Sequence, residues 1–183
     1  IYLAVDFFFM LSGFVIGYAY DDRWNRMSTG TFFKRRLIRL QPMVIMGSIV
    51  GAALFWFQDA PCYPAMEGVS AGAVLLVMLL GCTLLPLPLK WDVRGWMEMH
   101  PLNGPAWSLY YEYIGNILYA LFIRKFSKTA LTVLVAIAAC FTVHRCLTAP
   151  AGDIVGGWAL NWEQQYVGLV RLMYPFFGGL LLS

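Results

Sequence analysis

The amino-acid sequence predicts an all-α fold, a polytopic bundle of transmembrane helices with about five to six apolar segments. Three observations carry this expectation. The 183 residues are 60% hydrophobic and only 13% charged, with a mean hydropathy of +0.66, whereas a soluble domain is about 25% charged. The apolar residues fall in runs long enough to approach the roughly 20 helical residues that cross a bilayer. The runs are also continuous. Membrane strands would alternate apolar and polar residues over about ten positions, so helices remain as the structure that satisfies its own backbone in lipid.

Residues 1–20 are apolar apart from Asp6 and form a first span. Residues 21–39 are polar and basic, with a helix start near Ser28 or Thr29. Residues 40–57 carry no charge and form a second span. A loop at 58–68 holds Asp59, Pro61, Pro64 and Glu67. Residues 69–89 are a third apolar run ending in Leu-Pro-Leu-Pro-Leu, followed by a polar and aromatic loop at 90–106 with Trp91, Trp96, His100 and Pro101. A fourth run covers 107–123, a basic loop 124–128 and a fifth run 129–143, which ends at His144 and Arg145. A Gly- and Trp-containing loop spans 148–163, and a sixth run at 164–182 has Arg171 inside it. The chain begins at Ile1 without a methionine and stops at Ser183 directly after an apolar run. It is read as one membrane-embedded domain, 1–183, incomplete at both ends.

Charge placement sets a topological constraint. Six of the 13 basic residues lie in 23–39, and juxtamembrane Lys and Arg favour the cytoplasm. The basic loops at 21–39 and 124–128 should therefore share a side, which needs an even number of crossings between them. Three runs intervene. The run at 69–89, with Pro86 and Pro88 at its end, is the candidate for an incomplete, buried segment. The net charge of +3 is small, and no nucleic-acid partner is expected. The four cysteines, Cys62, Cys82, Cys140 and Cys146, form no CxxC pair, so neither a disulfide framework nor a metal site is implied.

Ionisable groups within apolar runs are costly, roughly 2.5–3.5 kcal/mol or more, and point to function by default. Asp6, Glu112 and Arg171 are such groups. On a helix Asp6 shares a face with Met10, Gly13 and Gly17. The Gly13/Gly17 spacing, repeated at Gly47/Gly51, lets another helix approach closely. Arg35, Arg36 and Arg39 are related by i+3 and i+4 and can lie on one side of a helix, where guanidinium forks suit phosphate oxygens. The simpler reading of that cluster is a positive anchor at the lipid phosphates. Asn103-Gly104-Pro105 makes a turn into the fourth run, where Ser108 and Glu112 share a face. Asn103, Trp107 and Arg171 are candidate substrate-binding residues, and Glu112, Ser108 and Asp6 candidate catalytic ones. His100 and His144 have no motif context and read as interfacial.

Three stretches together resemble acyltransferase family 3, a family of integral membrane O-acyltransferases. Val5-Asp6-Phe7-Phe8-Phe9-Met10-Leu11-Ser12-Gly13-Phe14-Val15-Ile16 is similar to the family's VDLFFVLSGFLI segment. Phe33-Lys34-Arg35-Arg36-Leu37-Ile38-Arg39-Leu40-Gln41-Pro42 is similar to its RRxxRxxP segment, and Trp107-Ser108-Leu109-Tyr110-Tyr111-Glu112-Tyr113 to its tryptophan-serine-glutamate segment. Arg171 followed by Phe176-Phe177-Gly178-Gly179 resembles a later helix. The resemblance implies transfer of an acyl group, most simply acetyl, from cytoplasmic acyl-CoA to a hydroxyl of a cell-envelope carbohydrate or related acceptor, a lipid-linked glycan included. It implies a multi-pass protein of the bacterial inner (plasma) membrane. Arg36 and Arg39 would hold the acyl donor. The family's catalytic histidine lies on a helix before the first segment, so this stretch alone is expected to be inactive. A multi-pass transporter or flippase for an envelope precursor, and a membrane sensor or scaffold, are the alternatives from other classes.

Overall fold

A computed structural model of the chain describes residues 2–58 and 68–183. The expected loop with Asp59, Pro61, Cys62, Pro64 and Glu67 lies outside the described residues. Those described form six α-helices and no strand: α1 (Tyr2–Tyr20), α2 (Thr29–Phe57), α3 (Ala71–Gly81), α4 (Ala106–Leu121), α5 (Lys128–Thr148) and α6 (Trp162–Leu182). Four starts are set by side-chain caps. Ser28, Ser70, Ser127 and Asn161 each accept a hydrogen bond from the backbone N–H three residues on, satisfying one of the orphan donors of a first helical turn. The second span is longer than its uncharged core, because α2 runs unbroken from the Ser28 cap through the arginines and Pro42.

Three stretches are long and apolar enough to cross a membrane: Leu3–Arg26, Thr29–Phe57 and Lys128–Thr148. This is fewer than the five to six expected. The run at 69–89 yields an 11-residue helix, about 16 Å at 1.5 Å per residue, against a hydrocarbon core of about 30 Å. Helix α4 has 16 residues, about 24 Å, and α6 interrupts its apolar sequence with Arg171. Both bury most of one face within the bundle. The exterior is apolar: Phe7, Leu11 and Tyr18 on α1 and Val133, Ile137 and Phe141 on α5 are all exposed. The interior holds Ser12, Arg36, Ser48, Glu112, Asn116 and Arg171. That inversion of the soluble pattern, with its broad exposed apolar surface, belongs to a protein whose solvent is lipid.

Side-chain contacts bring two of the connecting segments together. The Trp24 indole donates to the Tyr119 hydroxyl at 3.0 Å, Tyr119 donates to Asp21, and the Arg124 guanidinium lies 4.1 Å from the Trp24 ring centroid. The 21–26 turn and the 123–128 loop therefore meet at one end of the bundle, here the basic end. Helix α3 descends beside α2 only to mid-depth, where Gly81 lies by Ser48 and the Gln41 side chain donates to the Cys82 carbonyl. The chain then packs its 82–105 segment against the middle of α2, and α4 starts at that level, where Ala106 clusters with Val44 and Leu84. Segment 69–89 thus contributes a helix too short to cross. Irregular backbone at that depth is tolerated because it is buried in protein and its carbonyl is paired.

Helix α6 is the centre of the bundle and packs on α1, α4 and α5. The α1–α6 approach is close enough to require glycine. A β-carbon at Gly13 would collide with the Phe176 carbonyl, and one at Gly179 with the Met10 carbonyl. The Gly13/Gly17 spacing thus admits a helix, as expected. The Gly47/Gly51 spacing does not: Gly47 faces the Asn103 side chain and Gly51 the Leu102 carbonyl, so it receives the 99–105 loop instead.

Candidate active site

Helix α2 buries one stripe, Phe32, Arg36, Leu40, Val44, Ser48 and Ala52. The stripe repeats every four residues and turns Arg36 inward. Its neighbours Arg35 and Arg39 fall on the exposed surface at the basic end. Arg36 is thus separated from Arg35 and Arg39, which lie one turn apart beside the buried stripe and are exposed.

Arg36 is fully buried, and its Nη2 lies 2.5 Å from Glu112 Oε1. The same nitrogen donates to Ser12 Oγ at 3.2 Å, and the Ser12 hydroxyl donates to Glu112 Oε1 at 2.5 Å. Three helices meet at this carboxylate oxygen. Glu112 is carried on the buried face of α4 with Tyr111, Gly115, Asn116 and Tyr119. The Asn116 amide donates back to the Glu112 carbonyl at 2.7 Å. Several buried polar atoms around the pair have no protein partner: Arg36 Nε and Nη1, Glu112 Oε2, Asn116 Oδ1 and the Tyr113 hydroxyl. A buried donor or acceptor left unsatisfied costs about 1–3 kcal/mol, so this is a polar centre with capacity for a further hydrogen-bonding group.

A second charged layer lies toward the far end, six residues or about 9 Å along α1. Arg171 Nη2 is 3.0 Å from Asp6 Oδ1, and its Nη1 donates to the Gly156 carbonyl at 3.2 Å. The guanidinium carbon lies 5.1 Å from the Trp107 ring centroid. Trp107 in turn packs edge-on to Phe9, Tyr111 and Trp158. Arg171 and Glu112 are both interior, while the Asp6 side chain is 21% exposed. The acids and Arg171 therefore occupy two polar layers rather than one cavity, each with its own counter-ion.

The remaining predicted residues divide. Ser108 donates to the Pro105 carbonyl at 2.9 Å and serves the start of α4; the serine against Glu112 is Ser12. Asn103 donates to the Val44 carbonyl at 3.3 Å, beside the middle of α2. Sequence reasoning had Ser12 within the first matched segment without giving it a role, and a hydroxyl in an otherwise apolar span was the available signal. Asn116 was missed; its signal is its place one turn after Glu112 in an apolar run. His100, read as interfacial, is buried in the 82–105 segment. Its Nε2 lies 3.2 Å from the Leu84 carbonyl and its Nδ1 has no partner. Burial lowers its pKa, partly offset by the Leu84 hydrogen bond. Among the described residues no cluster of His, Cys, Asp and Glu could hold a metal ion.

The chain is 32% identical over 126 residues to "Protein 2 in picA locus" of Rhizobium radiobacter, covering 65% of this chain and 64% of that protein. It is 27% identical over 126 residues to "Acyltransferase MdmB" of Streptomyces mycarofaciens, covering 69% of this chain and 29% of that protein. It thus spans less than two thirds of the length of either relative. No solved structure matches. Residues 2–183 match a family model described as an acyltransferase domain, and the residues meeting at Glu112 come from the segments that resemble that family: the chain belongs to acyltransferase family 3.

Proposed function

We propose that the full-length protein transfers an acyl group, most simply acetyl, from a cytoplasmic acyl-CoA to a hydroxyl of a cell-envelope carbohydrate. The observation that carries the reading is convergence. Ser12, Arg36 and Glu112 come one from each of the three family-like segments and meet at a single carboxylate oxygen. In the reaction the acceptor oxygen attacks the thioester carbonyl carbon, the carbon–sulfur bond breaks, and the hydroxyl proton passes through a base to the leaving thiolate. The base is the histidine that the family resemblance places upstream of residue 1. Arg35 and Arg39, exposed at the basic end, hold the phosphates of the donor. Arg36 stays on Glu112 and turns its remaining N–H groups toward the reacting carbonyl, where oriented donors stabilise developing negative charge. Glu112 and Asp6 hold the two cations in place, and Asn103, Trp107 and Arg171 lie on the acceptor side. Helix α5 and the outer faces of α1 and α2 contact the bilayer of the inner membrane.

The test is acceptor-dependent release of CoA thiol by the full-length protein in nanodiscs, with labelled acetyl-CoA and a panel of envelope glycans. Label should appear on the glycan. Absence of transfer to any hydroxylated acceptor, or glycan movement across the bilayer without donor, refutes the reading in favour of transport. Arg35→Ala and Arg39→Ala should each weaken donor binding by about tenfold, the equivalent of 1.4 kcal/mol. Lys should rescue poorly because it lacks the planar fork. Unchanged donor affinity in both variants returns these residues to anchoring.

A further inference from the structure

Tyr113 directly follows Glu112 on α4. Its ring packs with Leu109 and Tyr110 against the buried cluster of Val44, Leu84 and Ala106. Three elements, α2, the 82–105 segment and α4 itself, therefore fix where the phenol stands. The side chain as a whole is half-buried, but its hydroxyl oxygen is sealed from solvent and has no protein partner. A buried tyrosine usually finds a partner for its O–H. This one stands beside the buried ion pair, close enough to feel the charges of both Arg36 and Glu112. Glu112 Oε2 is also unpaired, so the phenol and the carboxylate are not bonded to each other.

The free atoms at this centre differ in kind. Arg36 Nε and Nη1 can only donate, while the Tyr113 hydroxyl can donate or accept. The site thus presents unused donors from two helices, α2 and α4. An oxygen that gains negative charge would use both. The resemblance of this segment rests on Trp107, Ser108 and Glu112 and gives Tyr113 no role. We infer that the Tyr113 hydroxyl donates, together with the free N–H groups of Arg36, to the carbonyl oxygen of the acyl thioester, which makes Tyr113 a further catalytic residue. The inference rests on the acyl-transfer reading above and adds a group that the reading did not use. When the acceptor oxygen attacks the carbonyl carbon, the π electrons move to the carbonyl oxygen, which becomes the oxyanion of a tetrahedral adduct. Preorganised donors in a site sealed from solvent stabilise that oxyanion more than the neutral carbonyl. Tyr113 gives a hydrogen bond and keeps its proton, as a phenol of pKa about 10 does at roughly neutral pH. The adduct then collapses, the carbon–sulfur bond breaks, and the thiolate takes up the proton that the base removed from the acceptor.

The test is Tyr113→Phe in full-length protein in nanodiscs. It keeps the ring on Val44 and Leu84 and removes only the hydroxyl. With labelled acetyl-CoA and acceptor, kcat should fall about 10²-fold, the effect of losing one oxyanion donor. The KM for acetyl-CoA should stay at its wild-type value. Tm should not fall, because no bond within the protein is lost. Without acceptor, infrared difference spectra of carbonyl-labelled acetyl-CoA should show the thioester C=O stretch lowered on binding to wild type, and raised again in Tyr113→Phe. Tyr110→Phe, whose ring packs on the same cluster, should leave kcat and the stretch unchanged. An unchanged kcat in Tyr113→Phe, an equal loss in both variants, a stretch indifferent to the Tyr113 hydroxyl, or a lowered Tm that marks a bond within the protein overturns the inference. If wild type acylates its acceptor and Tyr113→Phe does so as fast, this inference fails alone. If wild type acylates no acceptor, yet the stretch is lowered on binding and restored by Tyr113→Phe, the acyl-transfer reading fails and the carbonyl contact stands.

Discussion

Replacing Glu112 by Gln removes the counter-ion of a guanidinium with no exposed surface. The pair is separated by 2.5 Å, with side-chain exposures of 0% and 1%. At an effective dielectric of 20 the gross attraction over that distance is about 7 kcal/mol. Breaking one half of a buried pair typically costs about 3–5 kcal/mol, because the other charge stays buried. Gln keeps an oxygen for Ser12 and Arg36, so the lower end, about 3 kcal/mol, is expected. At roughly 2–4 °C per kcal/mol for a chain of this size, Tm should fall by about 6–12 °C. The double variant Arg36→Met/Glu112→Gln removes both charges at similar volume, and should recover most of that loss, since exchanging a whole buried pair is often neutral. The assay is thermal unfolding of full-length protein in detergent, followed by acyl transfer well below every Tm. A Glu112→Gln variant melting within about 1 °C of wild type, against the several degrees worked above, would refute the reasoning. The double variant then separates architecture from chemistry. Stable and inactive means that the pair acts in catalysis; stable and active means that it only holds three helices together.

Three further outcomes are expected. Gly13→Val pushes a side chain into the Phe176 carbonyl and should cost at least about 1–3 kcal/mol of overpacking; a Tm equal to wild type would show that α1 and α6 do not cross there. Gln41→Leu leaves the Cys82 carbonyl unpaired, a loss of about 1–3 kcal/mol, and limited proteolysis should show the 82–90 segment cut faster than in wild type. Burial depresses the pKa of His100, so its contribution to stability is present above the unfolded value of about 6.5 and is lost as pH falls through the lower folded value. The Tm of wild type should therefore drop more steeply below pH 6.5 than that of His100→Gln, and parallel curves for the two proteins would exclude the effect.

Composition and run length were enough to establish an all-helical membrane protein, because lipid permits little else for continuous apolar segments. The helix start at Ser28, the α1 glycines and the ionisable residues in apolar runs were also legible, since each reflects a local rule of backbone or solvation chemistry. Parity of the basic loops also singled out 69–89 as the candidate incomplete segment, and its helix has only 11 residues. What a linear reading could not settle was which way a side chain turns once helices pack. The spacing of Arg35, Arg36 and Arg39 permits a shared face, yet the buried stripe of α2 takes Arg36 alone. Ser108 is i+4 from Glu112, but the hydroxyl that reaches the carboxylate is Ser12, 100 residues away in the chain. Gly47 and Gly51 have helix-contact spacing and receive a loop. Each of these depends on long-range contacts among α1, α2 and α4. A buried charge has no low-energy position until another helix supplies its counter-ion, so the pairings that define the site exist only in the tertiary structure.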